Sequence, residues 1–119
     1  MPDLNAILSA GTAISSADRA ALAWRRISEK PSSIVIKRGT TTLSAQTVRL
    51  ESSGSSNRVG SAGTVAVREV VIFGVRGHAT VTDTNIRRSD RFIYGGEEYQ
   101  VNDLVLTTGE VQARCEVVS

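Results

Sequence analysis

At Pro31 the spacing of apolar side chains changes period. Upstream, Ala17, Ala20, Ala21, Trp24 and Ile27 recur at helical intervals and form one stripe, with Arg19, Arg25 and Arg26 mostly off it. Further upstream, Leu4, Ile7 and Leu8 fall at i, i+3 and i+4, and Gly11 and Thr12 interrupt the run. Ser15 or Ser16 is placed to cap a second helix, with Asp18 in its first turn where the helix dipole favours a negative charge. Pro31 disfavours the helical conformation at Lys30 and closes the segment. Downstream the period is 2: Ile34 and Ile36 alternate with Val35 and Lys37. A chain that changes period once, so near its start, folds as a helical segment followed by strands. Its 119 residues fit one domain. We therefore expect an N-terminal helical segment over 1–30 and a single β domain over 31–119.

The strands can be read individually. A segment from about Thr41 to Glu51 changes phase, from Leu43 and Ala45 to Val48 and Leu50, which predicts a bulge or bend near Gln46. Thr64–Arg76 is long. Val65, Val67, Val71, Phe73 and Val75 share one parity and Val70 and Ile72 the other, so its middle is expected to be covered on both faces. Ala79–Thr82 continues it past Gly77 or forms a short strand of its own. Arg91–Tyr94 and Glu97–Val101 flank Gly95-Gly96, the pair that a two-residue type I′ hairpin turn requires. Glu98–Leu106 leads through Thr107-Thr108-Gly109 into Glu110–Val118, where Val111, Ala113, Cys115 and Val117 alternate with polar residues, the pattern of a half-buried antiparallel strand. The expected fold is mainly β: a small antiparallel barrel or sandwich, with the helix over an open end or edge.

One stretch stands apart. Residues 51–63 read ESSGSSNRVGSAG, with Val59 as the sole large apolar side chain. Composition of that kind does not supply enough burial to order itself, and a connection of that length inside a small domain is usually functional or disordered. The sequence thus predicts a long, flexible Ser/Gly-rich loop.

Chemistry narrows the function classes. One His and one Cys allow no disulfide within the chain and offer no cluster of metal ligands, so neither a metal nor another cofactor is expected. His78, beside Gly77, has no nucleophile or carboxylate companion motif and reads as structural; Cys115, on the apolar parity of the last strand, reads as a buried thiol. Glu97 and Glu98 are adjacent on a strand and point to opposite faces, which disqualifies them as a catalytic pair. No phosphate-cradling Gly loop is present. An enzyme is not expected. The net charge of +2 is too balanced for a dedicated DNA binder, although 12 of the 14 basic residues are Arg, the side chain suited to planar contacts with carboxylate or phosphate. No segment has the form of a secretory signal or a membrane span, so synthesis in the cytoplasm and no membrane partner are expected. Trp24 reads as a core residue or an interface anchor. Arg25, with Arg87, Arg88 and Arg91 in the densest basic cluster, are candidate partner contacts or solvated surface. Phe92, Tyr94 and Tyr99 pack a barrel or, alternatively, stack on bases as in a small oligonucleotide-binding barrel.

The stretch from Asp83 to Val101, DTNIRRSDRFIYGGEEYQV, resembles small neck proteins of long-tailed bacteriophages, of the head-closure or stopper type of head–tail connector. Those proteins carry an I-x-x-G-D-x-(F/I) step, a tight hairpin and then Y-x-V; here Ile86, Asp90, Phe92, Tyr99 and Val101 match, and Ser89 stands where Gly is usual. About 20 residues carry the resemblance. It implies a structural virion protein, made in the host bacterial cytoplasm and located in the neck. Its copies, six or twelve, would form a ring between the portal-adaptor ring and the tail-terminator or tail protein, closing the exit channel for genomic double-stranded DNA and docking the tail. On that reading Ser52, Ser53, Gly54, Ser55, Ser56, Asn57, Arg58, Val59 and Gly60 line the channel or dock on an adjacent ring. Arg58 is the one basic residue of that stretch, which suits a lumen through which DNA must slide, because each added phosphate contact steepens the salt dependence of binding by about 0.9 log units per log salt. The alternative within phage morphogenesis is a tail-completion or tail-terminator-side protein.

Overall fold

The computed structural model describes residues 16–60 and 63–118, with 53–60 and 63–67 described by their backbone. One helix, α1 (Ser16–Glu29), precedes eight strands: β1 (Ser32–Ile34), β2 (Lys37–Arg38), β3 (Thr41–Thr42), β4 (Gln46–Gly60), β5 (Gly63–Val75), β6 (Arg91–Tyr94), β7 (Glu97–Thr107) and β8 (Glu110–Val117). They form one antiparallel sheet in the order β1-β4-β5-β8-β7-β6-β2-β3. The expected mainly β fold with an N-terminal helix is what the chain adopts. Between the barrel and the sandwich, the structure takes a curled, partly closed barrel. The stretch Ser32–Arg38 explains how the sheet curls. Its first half pairs with β4 (Ser32 opposite Val48), and Lys37 pairs with Arg91 of β6, so one short run of chain touches both edges of the sheet.

Alternation along the strands builds two cores, one on each face. Ile34, Ile36, Val48, Leu50, Val70, Ile72, Phe92, Tyr99, Val101, Ala113 and Cys115 fill the inside of the curl, joined by Ile86 from the connection before β6. Val75 has the opposite parity to Ile72 and packs with Ala20, Ala23 and Ile27 of α1. The helix lies against β4, β5 and β8 on the outer face. β5 is therefore covered on both sides toward its end, from Val70 and Ile72 to Val75, and not in the middle of Thr64–Arg76 as its mixed parities predict.

Several expectations need correction. The buried stripe of α1 is Ala20, Ala23 and Ile27, with Trp24 half-buried; Ala17 and Ala21 are exposed. The end of α1 is where Pro31 predicts: the helix stops at Glu29, one residue before Lys30, whose N–H bonds back to Ile27 O at 3.1 Å. Leu4, Ile7, Leu8 and Ser15 lie outside the described residues. The phase change near Gln46 is a break between β3 and β4, not a bulge. Residues 79–82 form no strand; they belong to an irregular connection held by side chains.

The largest correction concerns residues 51–63. Residues 51–60 and 63 of the expected loop belong instead to a hairpin, in which β4 and β5 pair from Arg49↔Phe73 out to Gly60↔Gly63; 61 and 62 lie outside the described residues. The physical reason is the partner strand. β5 begins at Gly63, but β8 accompanies it only from Glu69 to Val75. Its first residues are paired instead by the continuation of β4, and a backbone ladder between sequence neighbours needs no apolar side chains. A register shift between Ser52 and Gly54 marks where the hairpin leaves the body. A second shift, between Val101 and Asp103 on β7, lies one strand beyond β8 at nearly the same level, opposite Cys115 and Arg114. Bulges bend and twist a sheet locally. Beyond the first, the two-stranded arm extends roughly 20 Å at 3.3 Å per residue. The molecule measures 68 Å in its longest dimension against 31 and 23 Å across.

Two turns require glycine. Gly95 and Gly96 have φ of 60° and 80°, the pair of positive values that a type I′ turn needs. Gly109, at φ 81°, presses the β7–β8 turn against α1: a Cβ there would lie 2.6 Å from Ala20 N.

Candidate functional site

The one buried charged side chain among the described residues is Asp90, 1 % exposed. It sits in the turn before β6, and three donors from two places converge on it. Arg38 Nε donates to Oδ1 at 3.0 Å and Arg38 Nη2 to Oδ2 at 2.9 Å, a two-pronged pair from β2. The Arg87 N–H donates to Oδ2 at 2.7 Å. The Asp90 hydrogen bond raises the already high pKa of the Arg38 guanidinium further, against the opposing effect of desolvation. Arg38 Nη2 also donates to Asn85 Oδ1 at 3.0 Å, and Asn85 and Gln46 exchange two bonds: Gln46 Nε2 to Asn85 O (2.9 Å) and Asn85 N–H to Gln46 Oε1 (2.7 Å). This network clamps the irregular connection 76–90 onto the start of β4 and onto β2. Thr84 adds a further clamp, donating its N–H to Val75 O at 2.8 Å while its hydroxyl accepts from Val75 N–H at 2.9 Å.

Ser89 precedes Asp90 with φ 73°, a left-handed conformation that side chains other than Gly adopt at a cost. Its N–H donates to Val101 O at 2.9 Å, and Val101 N–H donates to Asp90 O at 2.8 Å. The turn is thereby stitched to β7 at the second bulge. The position at which the resemblance has Gly is thus the one at which this backbone has positive φ. Phe92 and Tyr99 of the same motif stack inside the curl, ring centroids 5.7 Å apart and planes 17° from parallel. Both are buried; Tyr94 is 41 % exposed. Two of the three aromatic rings weighed for base stacking are therefore consumed by the core.

The candidate contact residues fall on separate elements. Trp24 borders an open cleft of about 560 Å³ with Leu43, Val81 and Asn85, and its ring meets His78 edge-on at 6.3 Å. His78 Nδ1 accepts the N–H groups of Thr80 and Val81, both at 3.1 Å, so the imidazole is a turn-organising acceptor. Arg25 is exposed on α1, and Arg87 and Arg88 are exposed on the turn before β6. Arg91 is exposed at the start of β6 and lies 3.8 Å from Glu98. Of the residues assigned to the docking loop, Ser52 is at the base of the arm and 53–60 form its β4 side. At that base Arg68 reaches across to Glu97 at 2.6 Å. Glu97 in turn accepts from Tyr99 Oη at 3.4 Å, and burial, followed by the nearby Glu97 charge, pushes the Tyr99 phenol up. Arg49 holds Glu51 at 2.6 Å and thereby keeps its carboxyl below the usual carboxylate range. Cys115 is fully buried, and burial pushes its thiol up to about 12.

Sequence reasoning missed the Arg38 clamp. Asp90 had a signal, its place in the motif; Arg38 had none, because its partner is 52 residues away. Among the described residues no group of three His, Cys, Asp or Glu is placed to hold a metal ion, and no helix is long and apolar enough to cross a membrane. The arrangement offers rigid turns, an arm and exposed arginines, all suited to assembly. No protein-family model matches the chain, and no curated protein matches it in sequence.

Proposed function

We propose that the chain is a structural protein of a tailed-phage neck, assembling as a ring at the head–tail interface that closes the DNA exit channel and docks the tail. The observation that carries this reading is the arm. From Ser55 and Arg68 outward, the two strands pair with each other alone among the described residues. A two-stranded ribbon by itself is marginal in water and leaves both edges open for pairing. Such a feature makes physical sense when identical neighbours or an adjacent ring cover it. The motif from Ile86 to Val101 supports the same reading, because its Asp turn, Gly hairpin and inward Tyr and Val form one braced corner of the barrel.

In this role the body of the subunit is a rigid block and the arm is the connector. Six or twelve bodies form the ring, and the arms reach a neighbour, the portal-adaptor ring or the lumen. Trp24, Arg25, Arg87, Arg88 and Arg91 contribute contacts at the block's surface, where charges of both signs direct association. The lumen passes genomic DNA and the distal face receives the tail-terminator or tail protein.

Imaging of labelled particles tests this. The chain carrying a tag at its C-terminus is expected as a ring at the neck. A ring at the tail end would instead place it in tail completion, and absence from purified particles would overturn the virion role. Behaviour as a lone monomer in solution does not bear on the test, because assembly on a partner ring needs that ring.

A further inference from the structure

We propose that the cleft between the first turns of α1, the end of β5 and the β7–β8 turn binds a phosphate group, free or carried in a nucleic-acid backbone. The inference is independent of the ring reading. It begins from a contrast among the cations. Arg26, Lys30, Arg38, Arg49, Arg68, Arg91 and Arg114 each face a carboxylate. Arg19 and Arg76 have no such partner among the described residues, and both border one cleft of about 660 Å³. Arg25, Lys37, Arg87 and Arg88 are also without one and, like Arg19, are exposed, but none of them lines the cleft that Arg19 and Arg76 share.

The fold, not chance rotamers, brings the two arginines together. Arg76 N–H donates to Gly109 O at 3.2 Å, which ties the end of β5 to the β7–β8 turn. On the other side of that turn, Gly109 approaches α1 so closely that a Cβ would lie 2.7 Å from the Arg19 carbonyl carbon. The turn is thus fixed between the backbones of Arg19 and Arg76. Thr108 and Gly109 are its two central residues, outside the ladder that closes at Thr107↔Glu110. Both line the cleft together with the two arginines, whose guanidinium forks carry five N–H donors each. That supply exceeds what the two oxygens of a carboxylate accept and matches the three or four oxygens of a phosphate. Asp83 also borders the cleft, but its Oδ1 accepts the Gly77 N–H at 2.7 Å. One carboxylate against two guanidiniums leaves the cleft net positive.

The test is a titration of the full chain, labelled with nitrogen-15, first with inorganic phosphate and then with a short DNA duplex at the same salt. Saturable shifts are expected at the amides of Gly77, Thr108 and Gly109. The double variant Arg19→Ala/Arg76→Ala should weaken both titrations by about tenfold or more, two charge-assisted contacts being lost. Asp83→Asn keeps the acceptor for Gly77 and removes the negative charge, so it should tighten binding several-fold. A duplex that binds more tightly than inorganic phosphate, with a log–log salt slope near about −2 for two phosphates, identifies a nucleic-acid backbone as the source; a duplex that binds no more tightly identifies a free phosphate. Absence of saturable shifts at these amides overturns the proposal. So does unchanged affinity in the double variant or, if that variant does not fold, in Asp83→Asn.

Discussion

The β4–β5 hairpin is two regions made from the same pair of strands. Its proximal half, Arg49–Ser52 with Val70–Phe73, has β8 beside it, a core on its inner face and α1 on its outer face. Its distal half continues the same ladder past the Ser52/Gly54 shift with neither neighbour. Both halves satisfy their backbone by cross-strand bonds, and the proximal half in addition removes apolar surface from water, at about 25 cal/mol per Å². Continuous secondary structure therefore does not mean uniform stability: body and arm are expected to respond separately to perturbation. Mutations in the body should change stability, and mutations in the arm should change assembly.

The largest expected effect is at Asp90. Asp90→Ala takes the acceptor from the partly exposed Arg38 guanidinium and from the Arg87 N–H, and losing hydrogen bonds to a charged group costs about 1.5–3 kcal/mol. Urea unfolding should show the midpoint falling sharply. Pairing it with Arg38→Met should cost less than the sum of the two single changes, because both remove one shared interaction. Strict additivity would mean that the clamp does not brace the body.

Next comes the alkaline side of the pH profile. Burial raises the Cys115 thiol from 9.0 to about 12. Below pH 9 both folded and unfolded chains hold the proton, and stability is unaffected. Between pH 9 and about 12 the unfolded chain releases it and the folded chain does not, so stability falls as pH rises, by at most about 1.4 kcal/mol per unit. Tyr99, also raised, adds a loss in the same direction above its ordinary value of 10.0. Urea midpoints at pH 8 and pH 10 should differ, and the difference should shrink in Cys115→Ala. A flat profile in the native chain would show that water reaches the inside of the curl.

A smaller effect of opposite sign is expected at Ser89. Its left-handed conformation costs a non-glycine residue about 1–2 kcal/mol, whereas Gly adopts it freely but loses about 0.5–1 kcal/mol of chain entropy. Ser89→Gly should therefore stabilise the body by up to about 1 kcal/mol, read as a rise in melting temperature. A fall would mean that the side chain contributes more than its backbone strain costs.

What was legible in the sequence follows the same division. In the body, side-chain period reports burial directly: the alternation Val111, Ala113, Cys115 predicted β8, and Gly95-Gly96 predicted the turn that φ values of 60° and 80° show. The helix boundary at Pro31 was legible because proline acts locally. The arm was not legible, since Ser and Gly on β4 carry no apolar period, and the evidence for pairing lay on the other strand, in the excess length of β5 over β8. The Arg38–Asp90 clamp and the Arg19–Arg76 cleft were hidden for another reason. Each joins residues far apart in the chain, and nothing in the local pattern around Arg38, Arg19 or Arg76 marks them off from surface arginines.

The smallest expected change in stability is at the arm, and it discriminates most. Replacing 56–67 by a two-residue Asn-Gly turn removes the ribbon while keeping the Ser55↔Arg68 pair for the base. Since the paired extension has neither β8 nor α1 beside it, unfolding free energy should move by no more than about 0.5 kcal/mol, the range for changes away from a core. Shortening the connection lowers its closure entropy slightly, by about 0.6 kcal/mol for each halving of length, and offsets part of any loss. Incorporation into particles should nevertheless fail, measured by quantifying the variant chain in purified virions. A stable, arm-less chain that still enters the neck would separate the body's surface contacts from the arm and transfer ring formation to Trp24, Arg25 and the Arg87–Arg91 cluster. A chain that unfolds would show that the ribbon supports the body, and the two halves of the hairpin would then be one cooperative unit.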